Sequence, residues 1–221
     1  MKDKIINKRI IIITIALIVF LLVLKDIFQY QVTSYDNWAY DVFVEGLRSK
    51  NMTLIMQLIT SFGNLLIIGT IVVILFLFYK NRKMIYLLMI NTFSIIIINS
   101  FIKLIIQRPR PDGYRLISES NFSFPSAHSM ISTVFYGFLI YIIYNEIKNK
   151  KIKYLLIFIL SILIVLICIS RIYLGVHYLS DTIAGFALSI IYLMIITALN
   201  SEYNKEVKHE RKRRKKEKKE N

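Results

Sequence analysis

Three short clusters hold most of the residues able to do chemistry in this chain. The first runs from Lys103 through LIIQRPRP and places Arg110 and Pro111 seven and eight positions on. The second is Pro125, Ser126, Ala127 and His128, and the third, SRIYLGVHYLSD, supplies Ser170, Arg171, His177 and Asp181. Three cations, two histidines and one carboxylate suit a phosphate ester. Guanidinium groups present paired N–H donors that match phosphate oxygens, so Lys103, Arg110 and Arg171 read as an anion clamp. Phosphoryl transfer is catalysed mostly by positioning and charge stabilisation. Asp181 follows His177 by four residues, one helical turn, so the two are expected to share a helix face. A carboxylate on one ring nitrogen fixes the tautomer and leaves the other free to attack phosphorus. His177 is therefore the expected nucleophile, forming a phosphohistidine. His128 has no acidic partner in its own cluster and suits the general acid and, later, the general base. Ser126 stands ahead of an apolar run, where a helix N-terminus would offer free N–H groups to an anion. No His, Cys or carboxylate cluster has metal spacing, so neither a metal nor another cofactor is expected.

These groups need a frame, and composition describes it. The 221 residues are 56% hydrophobic, with a mean hydropathy of +0.55 and a net charge of +15. Such values coexist only when the charges are segregated. Six apolar runs read as helices: Ile10–Leu24, Thr53–Tyr79, Met84–Ile102, Ala127–Asn145, Tyr154–Ser170 and Thr182–Leu199. About 20 residues cross a hydrocarbon core, so the expected fold is all-α, an integral membrane bundle of six transmembrane helices. Lys25 and Asp26 follow the first run where a signal peptide would have small residues, which predicts a retained span. Between the first two spans, Trp38, Val42, Phe43 and Leu47 recur near helical spacing, predicting a short amphipathic helix at the interface. Residues 1–200 form the membrane domain. Residues 201–221, with RKRRKKEKKE from Arg211, read as a basic, disordered tail that meets anionic lipid rather than nucleic acid.

Lys and Arg gather at the N-terminus, at residues 80–83, at residues 148–153 and in the tail. Basic loops favour the cytoplasm. Both termini are therefore expected there, with the three clusters at the outer face of what composition suggests is a bacterial plasma membrane. Charged groups held at a membrane are costly and usually functional. Asn91, Asn99 and Gln57, inside spans, are expected to make hydrogen bonds between helices. Arg108, Arg115 and Glu119 read equally as head-group contacts or as solvated loop charges.

The clusters resemble the three signature motifs of the type 2 phosphatidic acid phosphatase (PAP2) superfamily: Lys-x6-Arg-Pro, Pro-Ser-Gly-His and Ser-Arg-x5-His-x3-Asp. All occur in order, and one position departs, Ala127 standing for the motif's glycine. The resemblance implies a membrane lipid-phosphate phosphatase with His177, His128 and Asp181 as catalytic residues. Lys103, Arg110, Ser126, Ala127 and Arg171 would surround the phosphate. SFPSAHSM and ISRIYLGVHYLSD are most similar to bacterial phosphatidylglycerophosphatase B-type enzymes, implying phosphatidylglycerophosphate or phosphatidic acid as substrate. Undecaprenyl pyrophosphate is the alternative. Vanadium haloperoxidases share the motifs but are soluble, which six spans oppose. A non-catalytic lipid-binding membrane protein is the reading of another class, and it depends on Ala127. The sequence carries no signal of oligomeric state.

Overall fold

The computed structural model describes residues 7–113 and 115–201, and these are helical apart from their connections. The helices are α1 (Asn7–Tyr30), α2 (Ser34–Tyr40), α3 (Lys50–Ser61), α4 (Leu65–Phe78), α5 (Arg82–Ile106), α6 (Ala127–Glu146), α7 (Lys150–Tyr173) and α8 (Leu179–Ser201). Five are each long and apolar enough to cross a membrane, and α3 with α4, bent by 51° at their break, make a sixth if the pair is one span. The protein is thus a multi-pass membrane bundle. The five unbroken helices extend past the apolar runs read from sequence, because their polar end turns stay helical while leaving the hydrocarbon zone.

The second span differs from the single helix expected over Thr53–Tyr79. Phe62 closes α3, and the Asn64 side chain accepts a hydrogen bond from the Leu66 N–H at 3.2 Å, starting α4 afresh. A side-chain cap of this kind satisfies an orphan N–H at a helix start. Hydropathy cannot register it, since the flanking residues are apolar on both sides of the break.

α6 lies at the centre. Its Met130, Val134, Phe135 and Phe138 are fully buried against Ile68 of α4, Leu88 and Ile95 of α5, Ile167 of α7 and Leu193 of α8. Lipid tails are as apolar as leucine, so cohesion within the bilayer rests on close packing and interhelical hydrogen bonds. Tyr192 donates to Asn91 Oδ1 at 3.0 Å, and Asn99 Nδ2 donates to the Pro125 carbonyl at 3.0 Å. Gln57 is exposed instead. α1 packs through Val23 and Ile27 on Phe124 and Ala184, with Ile11, Ile15, Ile18 and Leu22 turned outward.

The expected interfacial helix is α2, continued by a π-helical turn over Asp41–Gly46. Thr33 and Asp36 form a reciprocal capping box at its start. Trp38 and Leu47 look outward, 58% and 48% exposed, whereas Asp36 turns inward and is 2% exposed. The ends of α5 and α7, the starts of α6 and α8, and α2 all meet at one end of the bundle. The basic connections at 80–83 and 148–153 lie at the other. The predicted disordered tail falls beyond residue 201, outside the described residues.

Candidate active site

Proline fixes the first part of the site. A residue before proline is disfavoured in the helical region, and in RPRP this applies to Arg108 and Arg110 alike. α5 therefore stops at Ile106, with Gln107 in the left-handed region at φ 49°. In the extended segment that follows, residues two apart share a side. Arg108 reaches Asp181 Oδ1 at 2.6 Å, and Arg110 Nη1 lies 3.1 Å from His177 Nε2. Each arginine takes one member of the His177–Asp181 pair. Arg108 is thus neither a head-group contact nor a solvated charge; it is 3% exposed and fully engaged in ion pairs.

A glycine makes the second turn. Gly175 has φ 72°, a conformation that costs a side-chain-bearing residue but not glycine, and it follows the C-cap of α7 as glycines commonly do. The chain folds back there, so the His177 N–H donates to the Arg171 carbonyl at 3.3 Å. His177 precedes α8 rather than sitting on it. The expected shared helix face is therefore not how the pair forms. Asp181 lies in the first turn of α8, where its Oδ2 accepts from the Tyr178 N–H at 3.0 Å and from Ser123 Oγ. The same oxygen lies 3.4 Å from His177 Nδ1.

Arginine can only donate, so with Arg110 beside it, His177 Nε2 is the acceptor and Nδ1 carries the proton toward Asp181. Burial pushes His177 down to about 3 against the opposing pull of Asp181, so the ring is neutral near pH 7. Its Nε2 is unprotonated, with the lone pair accepting from Arg110.

The other expected residues converge here. Ser126 caps α6 through Ser129, and its N–H donates to the Asp181 carbonyl at 3.1 Å. Ala127 is the first residue of α6 and is not in the left-handed region. The position does not use glycine's special dihedrals, and a methyl group is compatible with it. His128 stands in the first turn of α6, within electrostatic range of Arg171, His177, Arg110 and Lys103. Lys103 comes to the site, yet its ammonium donates to the Phe122 and Ser123 carbonyls, holding the loop before α6. Arg171 is 1% exposed and donates from Nη1 to Thr60 Oγ1 at 2.8 Å. Its buried Nε has no hydrogen-bond partner among the described residues. An unpaired buried donor is expensive.

Glu119, left open from sequence between a head-group contact and a solvated charge, bridges the two arginines, pairing with Arg171 Nη2 and lying 3.6 Å from Arg110 Nη2. Sequence reasoning missed other participants. Thr60 and Gly63 come from the break in the second span, and a Cβ on Gly63 would lie 2.8 Å from the His128 ring. Arg110, Arg115, Lys103, Glu119 and Asn121 line an open cavity of about 470 Å³ beside α5. The doubled Arg-Pro was the one available signal for Arg108; no local pattern marks the others.

A family model described as the PAP2 superfamily matches residues 82–205. The chain belongs to the PAP2 superfamily. Over 110 residues it is 36% identical to phosphatidylglycerophosphatase B of Bacillus subtilis (strain 168), which covers 48% of this chain and 53% of that protein. Over 100 residues it is 34% identical to sphingosine-1-phosphate phosphatase 1 of Rattus norvegicus, covering 43% of this chain and 23% of that one. The match thus spans about half the length of the first of these relatives and less of the second. The crystal structure of a transmembrane PAP2-type phosphatidylglycerolphosphate phosphatase from Bacillus subtilis superimposes with a TM-score of 0.78 at 28% identity. That comparison covers 86% of this chain and 96% of the other. Aquifex aeolicus LpxE shares the PAP2 fold, with a TM-score of 0.59 at 22% identity over 73% of this chain and 93% of that one.

Proposed function

We propose that this PAP2 protein is a lipid-phosphate phosphatase that removes a terminal phosphate through a phosphohistidine on His177. The observation that carries the reading is His177 itself: neutral, its Nδ1 toward Asp181 and its Nε2 facing the arginines. Nε2 attacks phosphorus and the bond to the lipid oxygen breaks. His128 gives that oxygen its proton, then takes one from the water that cleaves the P–N bond. Arg110 and Arg171 neutralise the phosphate oxygens, with Lys103 nearby and the N-terminus of α6 at Ala127 offering backbone N–H groups. The donor set is cationic, and the reaction runs on these side chains without a metal. Likeness to the Bacillus subtilis enzyme favours phosphatidylglycerophosphate, or phosphatidic acid, as substrate. The basic connections opposite the site favour cytoplasmic termini, an outward-facing site and a tail that meets anionic lipid.

The test is phosphate release by detergent-solubilised protein from phosphatidylglycerophosphate, phosphatidic acid and undecaprenyl pyrophosphate, with and without EDTA. His177→Ala should abolish release and any trapped phosphoenzyme. His128→Ala should lose about 10²–10⁴-fold on a lipid, the usual scale of general acid–base catalysis. It should lose less on nitrophenyl phosphate, whose leaving group barely needs a proton. A phosphoenzyme that survives His177→Ala would overturn the assignment, and activity lost to EDTA and restored by a divalent ion would overturn the metal-free mechanism.

A further inference from the structure

Arg108 is held from two sides. Its Nη1 donates to Asp181 Oδ1 and to Ser180 Oγ, both at 2.6 Å. Its Nη2 donates to Asp36 Oδ2 at 2.9 Å, and its Nε to the Gln31 carbonyl at 3.0 Å. The Tyr178 ring covers the guanidinium, 4.1 Å from its carbon. Asp36 in turn accepts from the Ser180 N–H at 2.8 Å and from Ser180 Oγ at 2.8 Å. Asp36, Arg108, Ser180 and Asp181 are each no more than 3% exposed. Gln31, at φ 55°, sits in the left-handed region while presenting its carbonyl to Arg108. A non-glycine residue stays there only when its surroundings hold it. Arg108 therefore has no donor to spare for a substrate.

Resting on the phosphohistidine reading, we propose that Asp36 is a positioning residue: it holds Arg108 against Asp181 and so joins the interfacial helix α2 to the charge behind His177. Two carboxylates and one guanidinium leave this buried group with one net negative charge. The ring of His177 gains positive charge as its Nε2 takes the phosphoryl group, and the net negative charge behind it offsets that gain. A buried charge without a counter-charge is costly. Without the Asp36 charge, Arg108 and Asp181 cancel each other and the charged ring is left uncompensated. Asp36 touches neither phosphate nor His177, so its effect must pass through Asp181.

That route gives a test that a merely structural role would not pass. Asp36→Asn, Asp181→Asn and the double variant are compared by phosphate release from solubilised, folded protein. Asp36→Asn alone should lower kcat on the order of tenfold, with KM within about twofold, the signature of an interaction made only in the transition state. In the Asp181→Asn background the same change should cost less than about twofold, because residues acting as a unit are not additive. Ser180→Ala, which removes two of the contacts without changing charge, should give a smaller kcat loss that also vanishes in that background, and it serves if Asp36→Asn does not fold. Equal losses in both backgrounds, or a change confined to KM, would overturn the relay while leaving His177 chemistry intact. Full activity in Asp181→Asn would overturn that chemistry and the relay with it.

Discussion

Gly63 is the position at which one methyl group should reach the chemistry. It lies in the break between α3 and α4, in an ordinary backbone conformation, so its lack of a side chain matters for space alone. An added Cβ would lie 2.8 Å from His128 Cδ2, 3.1 Å from Ile167 Cγ2 and 3.3 Å from the Thr60 carbonyl. Carbon atoms rest about 3.5–4.0 Å apart. The backbone carbonyl is fixed and Ile167 is fully buried, which leaves the imidazole to move by about 1 Å. A displacement of that size in a catalytic site can cost about 10²-fold, whereas overpacking costs stability only about 1–3 kcal/mol. Gly63→Ala should therefore stay folded, with a modestly lower Tm, while kcat on a lipid phosphate falls on the order of 10²-fold. If His128 delivers the proton, nitrophenyl phosphate should be hydrolysed with a much smaller loss. A folded Gly63→Ala variant with wild-type kcat on lipid would show that the turn does not hold the ring.

Other expectations follow from the charges. Glu119→Gln should lower KM for a lipid phosphate and strengthen inhibition by orthophosphate, because the carboxylate pairs with the arginines a phosphate would use; steady-state kinetics at two substrate lengths would show it. His177 is depressed from about 6.5 to about 3, so the folded state binds fewer protons than the unfolded state between those values. Its contribution to stability is complete above pH 6.5 and is lost as pH falls, by about 1.4 kcal/mol per unit, levelling off below about 3. Thermal unfolding of His177→Asn should depend less on pH between 7 and 5 than that of the wild type. Orientation can be read with single cysteines at Ser118 and Lys148, both exposed and outside the helix caps. An impermeant maleimide on intact cells should label the first and spare the second.

The membrane frame was legible because the bilayer demands long apolar helices, and charge segregation along the chain survives into the bundle. The site was legible where motif residues carry the charge themselves: Arg110, Arg171, His177 and Asp181 do meet. Two things were hidden. The bend in the second span depends on one capping side chain, Asn64, inside a run whose hydropathy is uniform. The partners Asp36, Glu119 and Thr60 come from distant segments, and only the folded chain brings them within reach. Local spacing also misled at His177. A separation of four residues suggested one helix face, yet the pairing is made by a turn entering a helix, because Gly175 redirects the chain just before it.

The Glu119 carboxylate on the two clamp arginines has a further consequence. Two guanidinium groups facing each other in a poorly solvated site would repel, and the resting protein supplies its own counter-ion against that. On the phosphatase reading proposed above, every substrate phosphate must evict this internal anion, and every departing phosphate can be replaced by it. Resting stability and substrate affinity are thus opposed at a single side chain: a variant that binds phosphate more tightly by losing the carboxylate is also the one least able to tolerate an empty clamp.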